Sequence, residues 1–199
     1  MTPRAVFFDL GGVIVRTEYQ APREHLAERL NMTYEDLNRI VFESDTSRKA
    51  SVGAITADAH WAAVTRRLGR PPSETKAIYT EFFAGDVIDR SLLNSIRSLR
   101  SRYKTGVVSN AWPDLRDYMA ENRLDDAFDE LVISAEVGVM KPELQIYKIA
   151  LERLSIKPNE AAFVDDTQAN IDAARNLGMY GILFQNPEQA LNDLKRFLK

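Results

Sequence analysis

Residues 5–13 read AVFFDLGGV, an apolar run that ends in Asp9 and continues into two glycines. Short apolar runs of this kind are typical of strands that are buried on both faces of a parallel sheet. In α/β sheets, ligands bind in the crevice at the carboxyl ends of the strands. We therefore predict a buried strand over Ala5–Phe8, followed by a functional carboxylate at Asp9 and a glycine turn.

Polar side chains end other apolar segments in the same way. Ser109–Asn110 follows one such segment, Asp165–Asp166 follows another, and Lys141 stands directly before Pro142. Because the carboxyl ends of parallel strands meet at one edge of a sheet, we expect these groups to lie together with Asp9. The combination of carboxylates, a lysine and a hydroxyl predicts a catalytic site that handles phosphate with a hard metal ion.

The remaining pattern indicates an α/β fold with a doubly wound parallel sheet. Three predicted helices separate the later strands. Apolar residues recur at helical spacing over 91–102 and 170–177, and a third helix has Pro142 as its first residue. Strands and helices that alternate in this way predict right-handed crossovers. The predicted strands span residues 5–8, 105–108, 130–134, 161–164 and 180–184.

Residues 16–87 differ from the rest of the chain, because we find no clear strand run among them. Apolar residues there recur at helical spacing, and Thr33 and Thr56 are plausible helix starts. We predict a small α-helical cap of about four helices, inserted after the first strand and lying over the site. The core domain would then comprise residues 1–15 and 88–199, with linkers near residues 16–18 and 85–86.

Composition excludes several classes of protein. The chain has 199 residues, 45% of them hydrophobic, with a formal net charge of -3 and no cysteine. The absence of a basic block argues against nucleic-acid binding, and no apolar stretch reaches the length of a membrane span. The start of the chain does not resemble a signal peptide, so we predict a cytoplasmic location. The oligomeric state stays open.

The three carboxylates of Asp9, Asp165 and Asp166 require a compensating cation. At an effective dielectric constant of about 20, two charges ~4 Å apart repel by roughly 4 kcal/mol. Oxygen ligands without a His or Cys cluster favour Mg²⁺. Lys141 and Ser109–Asn110 suit the oxygens of a phosphate group. Each feature alone has a simpler structural explanation, so the prediction depends on the whole set.

These motifs resemble those of the haloacid dehalogenase-like (HAD) hydrolase superfamily, and the resemblance spans the whole chain. In chain order they are DLGGV at 9–13, SN at 109–110, KP at 141–142 and DDTQAN at 165–170. The nearest likeness is to small-cap sugar-phosphate phosphatases of the glucose-1-phosphate type and to the N-terminal phosphatase domain of epoxide hydrolases. The resemblance implies a Mg²⁺-dependent phosphomonoesterase that acts on a small phosphorylated metabolite.

The resemblance also implies a role for each site residue. Asp9 would be the nucleophile that forms an aspartyl-phosphate intermediate, and Lys141 would be the other catalytic residue. The remaining roles follow the family pattern: metal ligation by Asp9, Asp166 and the backbone carbonyl of Gly11; phosphate binding by Ser109, Asn110 and Lys141; and support from Asp165 and Asn170.

The chain departs from the family pattern at Gly11. Most phosphatases of this family carry a second Asp there, which protonates the leaving group. General acid–base catalysis is typically worth ~10²- to 10⁴-fold in rate. We therefore expect a slow enzyme, or one selective for good leaving groups such as anomeric, acyl or aryl phosphates.

Two other functions remain open on the sequence. A 2-haloacid dehalogenase needs neither metal nor leaving-group acid, and a non-catalytic protein could keep the fold to bind phospho-ligands or to regulate a partner. The physiological substrate is not readable from the cap. Candidate substrate-pocket residues are Arg16, Thr17 and Trp112.

Overall fold

The computed structural model describes residues 2–199, and a parallel five-stranded sheet forms its centre. The strands in chain order are β1 (Ala5–Phe8), β2 (Val15–Thr17), β3 (Asp86–Ile88), β4 (Lys104–Ser109), β5 (Glu130–Ile133), β6 (Ala161–Asp165) and β7 (Tyr180–Leu183). The sheet has the order β5-β4-β1-β6-β7, with every neighbouring pair parallel. The predicted strands are confirmed, and no strand end moves by more than one residue.

The central position of β1 explains its unbroken apolar sequence. Successive side chains of a strand point to opposite faces. Val6 and Phe8 pack into one hydrophobic cluster, whereas Ala5 and Phe7 pack into another on the opposite face of the sheet. All of these side chains are buried, so every position of the strand must be apolar.

Helices cover both faces of the sheet. The described residues form α1 (Ala21–Arg29), α2 (Tyr34–Phe42), α3 (Asp45–Ser51), α4 (Ala57–Arg67), α5 (Thr75–Phe83), α6 (Arg90–Leu99), α7 (Leu115–Glu121), α8 (Ser134–Val137), α9 (Leu144–Arg153), α10 (Gln168–Asn176) and α11 (Pro187–Phe197). Leu92 of α6 and Leu194 of α11 pack on the face of Val6. Ile146 of α9 and Ile171 of α10 pack on the other face. The predicted α/β, doubly wound fold is confirmed.

The prediction that a helix begins at Pro142 is wrong, because α9 begins at Leu144. The Lys141–Pro142 peptide bond is cis and lies in the loop before the helix. The backbone N–H and C=O of Lys141 are both bonded to the side chain of Asn110. Residue 141 therefore lies against the end of β4, and the helix begins only after the chain leaves that contact.

The inserted segment forms a helical cap with its own hydrophobic core. Its helices α1–α5 enclose a cluster that includes Leu26, Leu37, Trp61, Ile78 and Phe82. There are five α-helices rather than about four, together with a 3₁₀ turn over Pro72–Glu74. The predicted helix starts are confirmed, since the hydroxyls of Thr33 and Thr56 accept hydrogen bonds from backbone N–H groups in the first turns of α2 and α4.

The two linkers pair with each other, which the sequence pattern did not predict. Strand β2 lies antiparallel to β3 in a two-stranded ribbon. The strands are three residues long and only partly buried, so they carry no periodic apolar signal. The predicted bounds of the cap, residues 16 and 87, both lie within this ribbon, and the division into cap and core domains stays a prediction.

The cap meets the core above the carboxyl edge of the sheet. A Cβ atom on Gly53, between α3 and α4, would lie 2.1 Å from the carbonyl oxygen of Ala135, in α8 directly after β5. Trp112, in the loop after β4, packs against the cap core. Among residues 2–199, no helix is both long and apolar enough to cross a membrane.

Candidate active site

The ends of two adjacent strands bring the predicted carboxylates together. Asp9 directly follows β1, Asp165 ends the neighbouring β6, and Asp166 comes next. Each contributes a carboxylate oxygen to a group whose members all lie within 4.8 Å of one another. Asp9 and Asp165 are buried and Asp166 is exposed, so the group lies at the mouth of the crevice.

Lys141 supplies a buried positive charge between two of these carboxylates. Its ammonium lies 2.8 Å from Oδ1 of Asp9 and 2.7 Å from Oδ2 of Asp165. Burial, opposed by Lys141 and reinforced by Asp165, raises the pKa of Asp9 to about 6. Lys141 brings one positive charge to a group of three carboxylates, so a further cation would stabilise the ionised site.

Asp165 is committed to contacts inside the protein. Beyond Lys141, it accepts a hydrogen bond from the Thr167 backbone N–H at 2.8 Å and from the Asn170 amide at 3.1 Å. Asn170 is itself held by the buried Tyr147, whose hydroxyl donates to the Asn170 carbonyl at 3.0 Å. These bonds occupy Asp165, and they leave Asp9 and Asp166 as the carboxylates better placed to bind a ligand.

The two glycines after Asp9 have different surroundings. Gly12 has φ +77, and a Cβ atom there would lie 2.1 Å from Oδ2 of Asp166. Glycine is therefore required at position 12 for both backbone conformation and space. Gly11 is exposed, its φ lies outside the left-handed region, and a Cβ atom there would meet nothing within 4 Å. The turn has room for a side chain at residue 11.

Asn110 has a function that the sequence did not reveal. Its amide donates to the Lys141 carbonyl at 2.9 Å and its side-chain oxygen accepts from the Lys141 N–H at 2.7 Å. Lys141 is thus held at its backbone by Asn110 and at its ammonium by two carboxylates. The partners are 31 residues apart, and an Asn after a strand gives no signal of such a partner.

The residue after Asn110 in the loop after β4, Ala111, is also held by a side chain. The Ser134 hydroxyl lies 3.0 Å from the Ala111 N–H and 3.2 Å from the Ala111 carbonyl oxygen, in position to bond both. The following residue, Trp112, is half-buried and stacks on Phe42 of the cap, with ring centroids 6.1 Å apart. The predicted substrate-pocket residue therefore lies where the core loop meets the cap.

Arg16 and Thr17, the other predicted pocket residues, lie in the linker ribbon. The Arg16 guanidinium donates to the Val13 carbonyl and bonds to Asp89 and Glu18. The Thr17 hydroxyl donates to Asp86 at 2.7 Å. Both side chains join the two linkers, and their role as substrate contacts stays a prediction.

Comparison with known proteins places this architecture in a family. Residues 3–178 match the family model described as haloacid dehalogenase-like hydrolase. The chain belongs to the haloacid dehalogenase-like hydrolase family. The predicted superfamily and the prediction that the chain is an enzyme of that superfamily are thereby confirmed.

Members of the HAD family resemble this chain over different lengths. Bifunctional epoxide hydrolase 2 of Rattus norvegicus is 30% identical over 216 residues, covering 98% of this chain and 39% of that protein. The chain thus spans about two fifths of that relative's length. The phosphorylated carbohydrates phosphatase of Thermotoga maritima is 26% identical, covering 98% of this chain and 90% of the relative.

A solved structure shares the HAD fold across both core and cap. It is a wild-type HAD family enzyme from Bacteroides thetaiotaomicron in complex with magnesium and inorganic phosphate. The TM-score is 0.70 at 21% identity, covering 92% of this chain and 94% of that one. At this identity the likeness supports the fold alone.

Proposed function

We propose that this chain is a Mg²⁺-dependent phosphomonoesterase that acts on a small phosphate ester. The observation that carries the proposal is the buried Lys141 ammonium between Asp9 and Asp165, with a carboxylate oxygen of Asp166 within 4.8 Å of theirs. This arrangement places a fixed positive charge beside a carboxylate nucleophile. Preorganised charge of this kind supplies much of the catalysis in phosphoryl transfer.

Asp9 is the proposed nucleophile. An oxygen of its carboxylate forms a bond to phosphorus while the ester P–O bond breaks, and the leaving oxygen takes the electron pair. Water then hydrolyses the aspartyl-phosphate, which releases inorganic phosphate and restores the carboxylate. The backbone N–H of Leu10 and the Lys141 ammonium both contact Oδ1 of Asp9, and so fix the rotation of the carboxylate.

The oxygen donors at the mouth of the crevice fit a hard divalent cation. The carboxylates of Asp9 and Asp166, with the Gly11 carbonyl, would hold Mg²⁺, which when bound supplies positive charge opposite the phosphoryl oxygens. Ser109, the Asn110 backbone N–H and Lys141 would bind the phosphate. Asp165 and Asn170 would keep Lys141 in place, in agreement with the bonds that occupy both side chains.

Gly11 makes the first step depend on the leaving group. No side chain at residue 11 can protonate the departing oxygen, so we expect a slow reaction with alcohols and a faster one with acidic leaving groups. Acyl and aryl phosphates satisfy this requirement because their leaving oxygens are stable as anions.

The test is Mg²⁺-dependent phosphate release from acetyl phosphate and phenyl phosphate, with Asp9→Asn as the blank. We expect release that stops on chelation of Mg²⁺ and is absent in the Asp9→Asn variant. Chloride release from 2-chloropropionate without metal would instead support a dehalogenase. Binding of inorganic phosphate with neither activity would support the non-catalytic alternative.

A further inference from the structure

We propose that the preferred substrates are small aryl phosphates, with the phenolic ring resting on the surface formed by Trp112 and Phe42. This inference rests on the proposed phosphomonoesterase function and names its leaving group. Two independent observations support it: the aromatic surface beside the phosphate-binding loop, and the missing acid at Gly11.

The aromatic surface lies close to the proposed phosphate site. Trp112 is three residues after Ser109, so its Cα lies within about 11 Å of the Ser109 Cα even if the chain is fully extended. The intervening residues are held by Lys141 and Ser134. A rigid loop therefore carries both the phosphate-binding groups and the indole ring.

The indole ring of Trp112 joins the core to an aromatic cluster in the cap. It stacks on Phe42 with 22° between the planes and lies 4.5 Å from the ring of His60. Trp61 and Phe83 meet it edge-on at 5.7 and 6.5 Å. Phe42 is 46% exposed, so the aromatic cluster that includes Trp112 is partly open to solvent.

The same surroundings are poorly suited to a polyhydroxyl leaving group. The rings that contact Trp112 are all aromatic. One of them, His60, is buried, and its Nδ1 lies 3.0 Å from the Thr46 hydroxyl, with which it forms a hydrogen bond. Burial, partly opposed by the Val41 backbone, lowers the pKa of His60. Sugar hydroxyls buried against the carbon faces of these rings would lose hydrogen bonds to water, and Nε2 of His60 and Nε1 of Trp61, which have no hydrogen-bond partner among residues 2–199, are shielded from solvent.

An aryl ester also removes the need for the missing acid. A phenol has a pKa of about 10, as in the tyrosine side chain. An alcohol resembles water and is a much weaker acid than a phenol. When the P–O bond breaks, the electron pair leaves on the phenolate oxygen, which later takes a proton from solvent. The overall reaction consumes one water and yields a phenol and inorganic phosphate.

The experiment separates ring recognition from leaving-group acidity with four substrates. Phenyl phosphate has both an aromatic ring and an acidic leaving group. Benzyl phosphate has the ring but a weakly acidic leaving group, and acetyl phosphate has an acidic leaving group but no ring. A hexose 6-phosphate has neither. We expect phenyl phosphate to have the highest kcat/KM of the three alcohol and phenol esters. Trp112→Ala and Phe42→Ala should each raise KM for both ring substrates about five- to tenfold and leave KM for acetyl phosphate unchanged.

Two further variants control for general damage to the fold. Trp112→Phe keeps an aromatic face and should keep most of the ring preference. Tyr180→Ala removes another exposed aromatic, 42% exposed and stacked on Phe197 at 5.0 Å, from the start of β7 at the opposite edge of the sheet. It should leave all four KM values unchanged.

The outcomes separate this inference from the function on which it depends. If acetyl phosphate is hydrolysed but the hexose ester equals or exceeds phenyl phosphate, the aryl proposal is overturned and the phosphatase proposal stands. Equal KM changes for acetyl and ring substrates in Trp112→Ala also overturn it. Failure to hydrolyse any of the four substrates with Mg²⁺ would overturn both.

Discussion

Replacing Gly11 with Asp should supply the general acid that this chain lacks. The structure provides room, because residue 11 is exposed and a Cβ atom there would meet no atom within 4 Å. Its φ also lies outside the left-handed region, so a side chain adds no backbone strain. The change therefore tests the chemistry without first disturbing the turn.

The size of the gain should depend on the leaving group. General acid catalysis is worth ~10²- to 10⁴-fold, or roughly 3 to 5 kcal/mol of activation free energy. We expect a gain in this range for benzyl phosphate and less than about tenfold for phenyl phosphate, whose leaving group needs little protonation. A new carboxyl at residue 11 joins a site that already holds the carboxylates of Asp9 and Asp166, and two like charges ~4 Å apart repel by roughly 4 kcal/mol. This repulsion favours its protonated form, which is the form that donates.

The assay is kcat/KM for both esters at saturating Mg²⁺, with Gly11→Asn as the matched control. Asn has nearly the same shape as Asp but no acidic proton, so it should give no gain. Mg²⁺ affinity and melting temperature are measured alongside, to exclude loss of metal or fold. A folded, metal-binding Gly11→Asp variant with no gain on benzyl phosphate would refute the reasoning, as would an equal gain in Gly11→Asn.

Three other changes test contacts that hold the site and the cap. Asn110→Ala removes both bonds to the Lys141 backbone and should weaken inorganic phosphate binding about tenfold, measured by calorimetry. It should add nothing in a Lys141→Ala background, and Asn94→Ala on the exposed side of α6 should have no effect. Gly12→Ala places a Cβ atom against Asp166 and should cost about 1–2 kcal/mol of unfolding free energy and lower Mg²⁺ affinity, whereas Gly11→Ala should do neither. Asp89→Ala removes the N-cap of α6 and should lower the free energy of unfolding by about 1 kcal/mol at pH 7. Burial raises the pKa of Asp89, but the Leu92 N–H and Arg16 outweigh it and lower the pKa overall. The contribution of Asp89 is therefore full above the unfolded pKa of about 4 and is lost as pH falls through the lower folded pKa. Urea unfolding at pH 7 and pH 3 checks this, and an equal difference between wild type and variant at both pH values would contradict it.

Much of the fold follows from local apolar pattern. The continuous run at Ala5–Phe8 could be assigned to a doubly covered strand because all of its side chains are buried. The helix starts at Thr33 and Thr56 were readable because an N-cap is a local interaction. The linker ribbon was missed because its strands are short and partly buried, and their partners lie about 70 residues away in the sequence.

The sequence by itself determined which polar residues stand at strand ends, and therefore which groups could share one edge of the sheet. It could not determine how those groups divide their contacts. Only the tertiary structure shows that Asp165 bonds to Lys141 and Asn170 and that the Asn110 side chain bonds to the Lys141 backbone. It also shows that Trp112 packs against the aromatic cluster of the cap. The physical reason is that apolar periodicity encodes burial along one element, whereas a hydrogen bond or ring contact between distant segments depends on the packing of the whole chain.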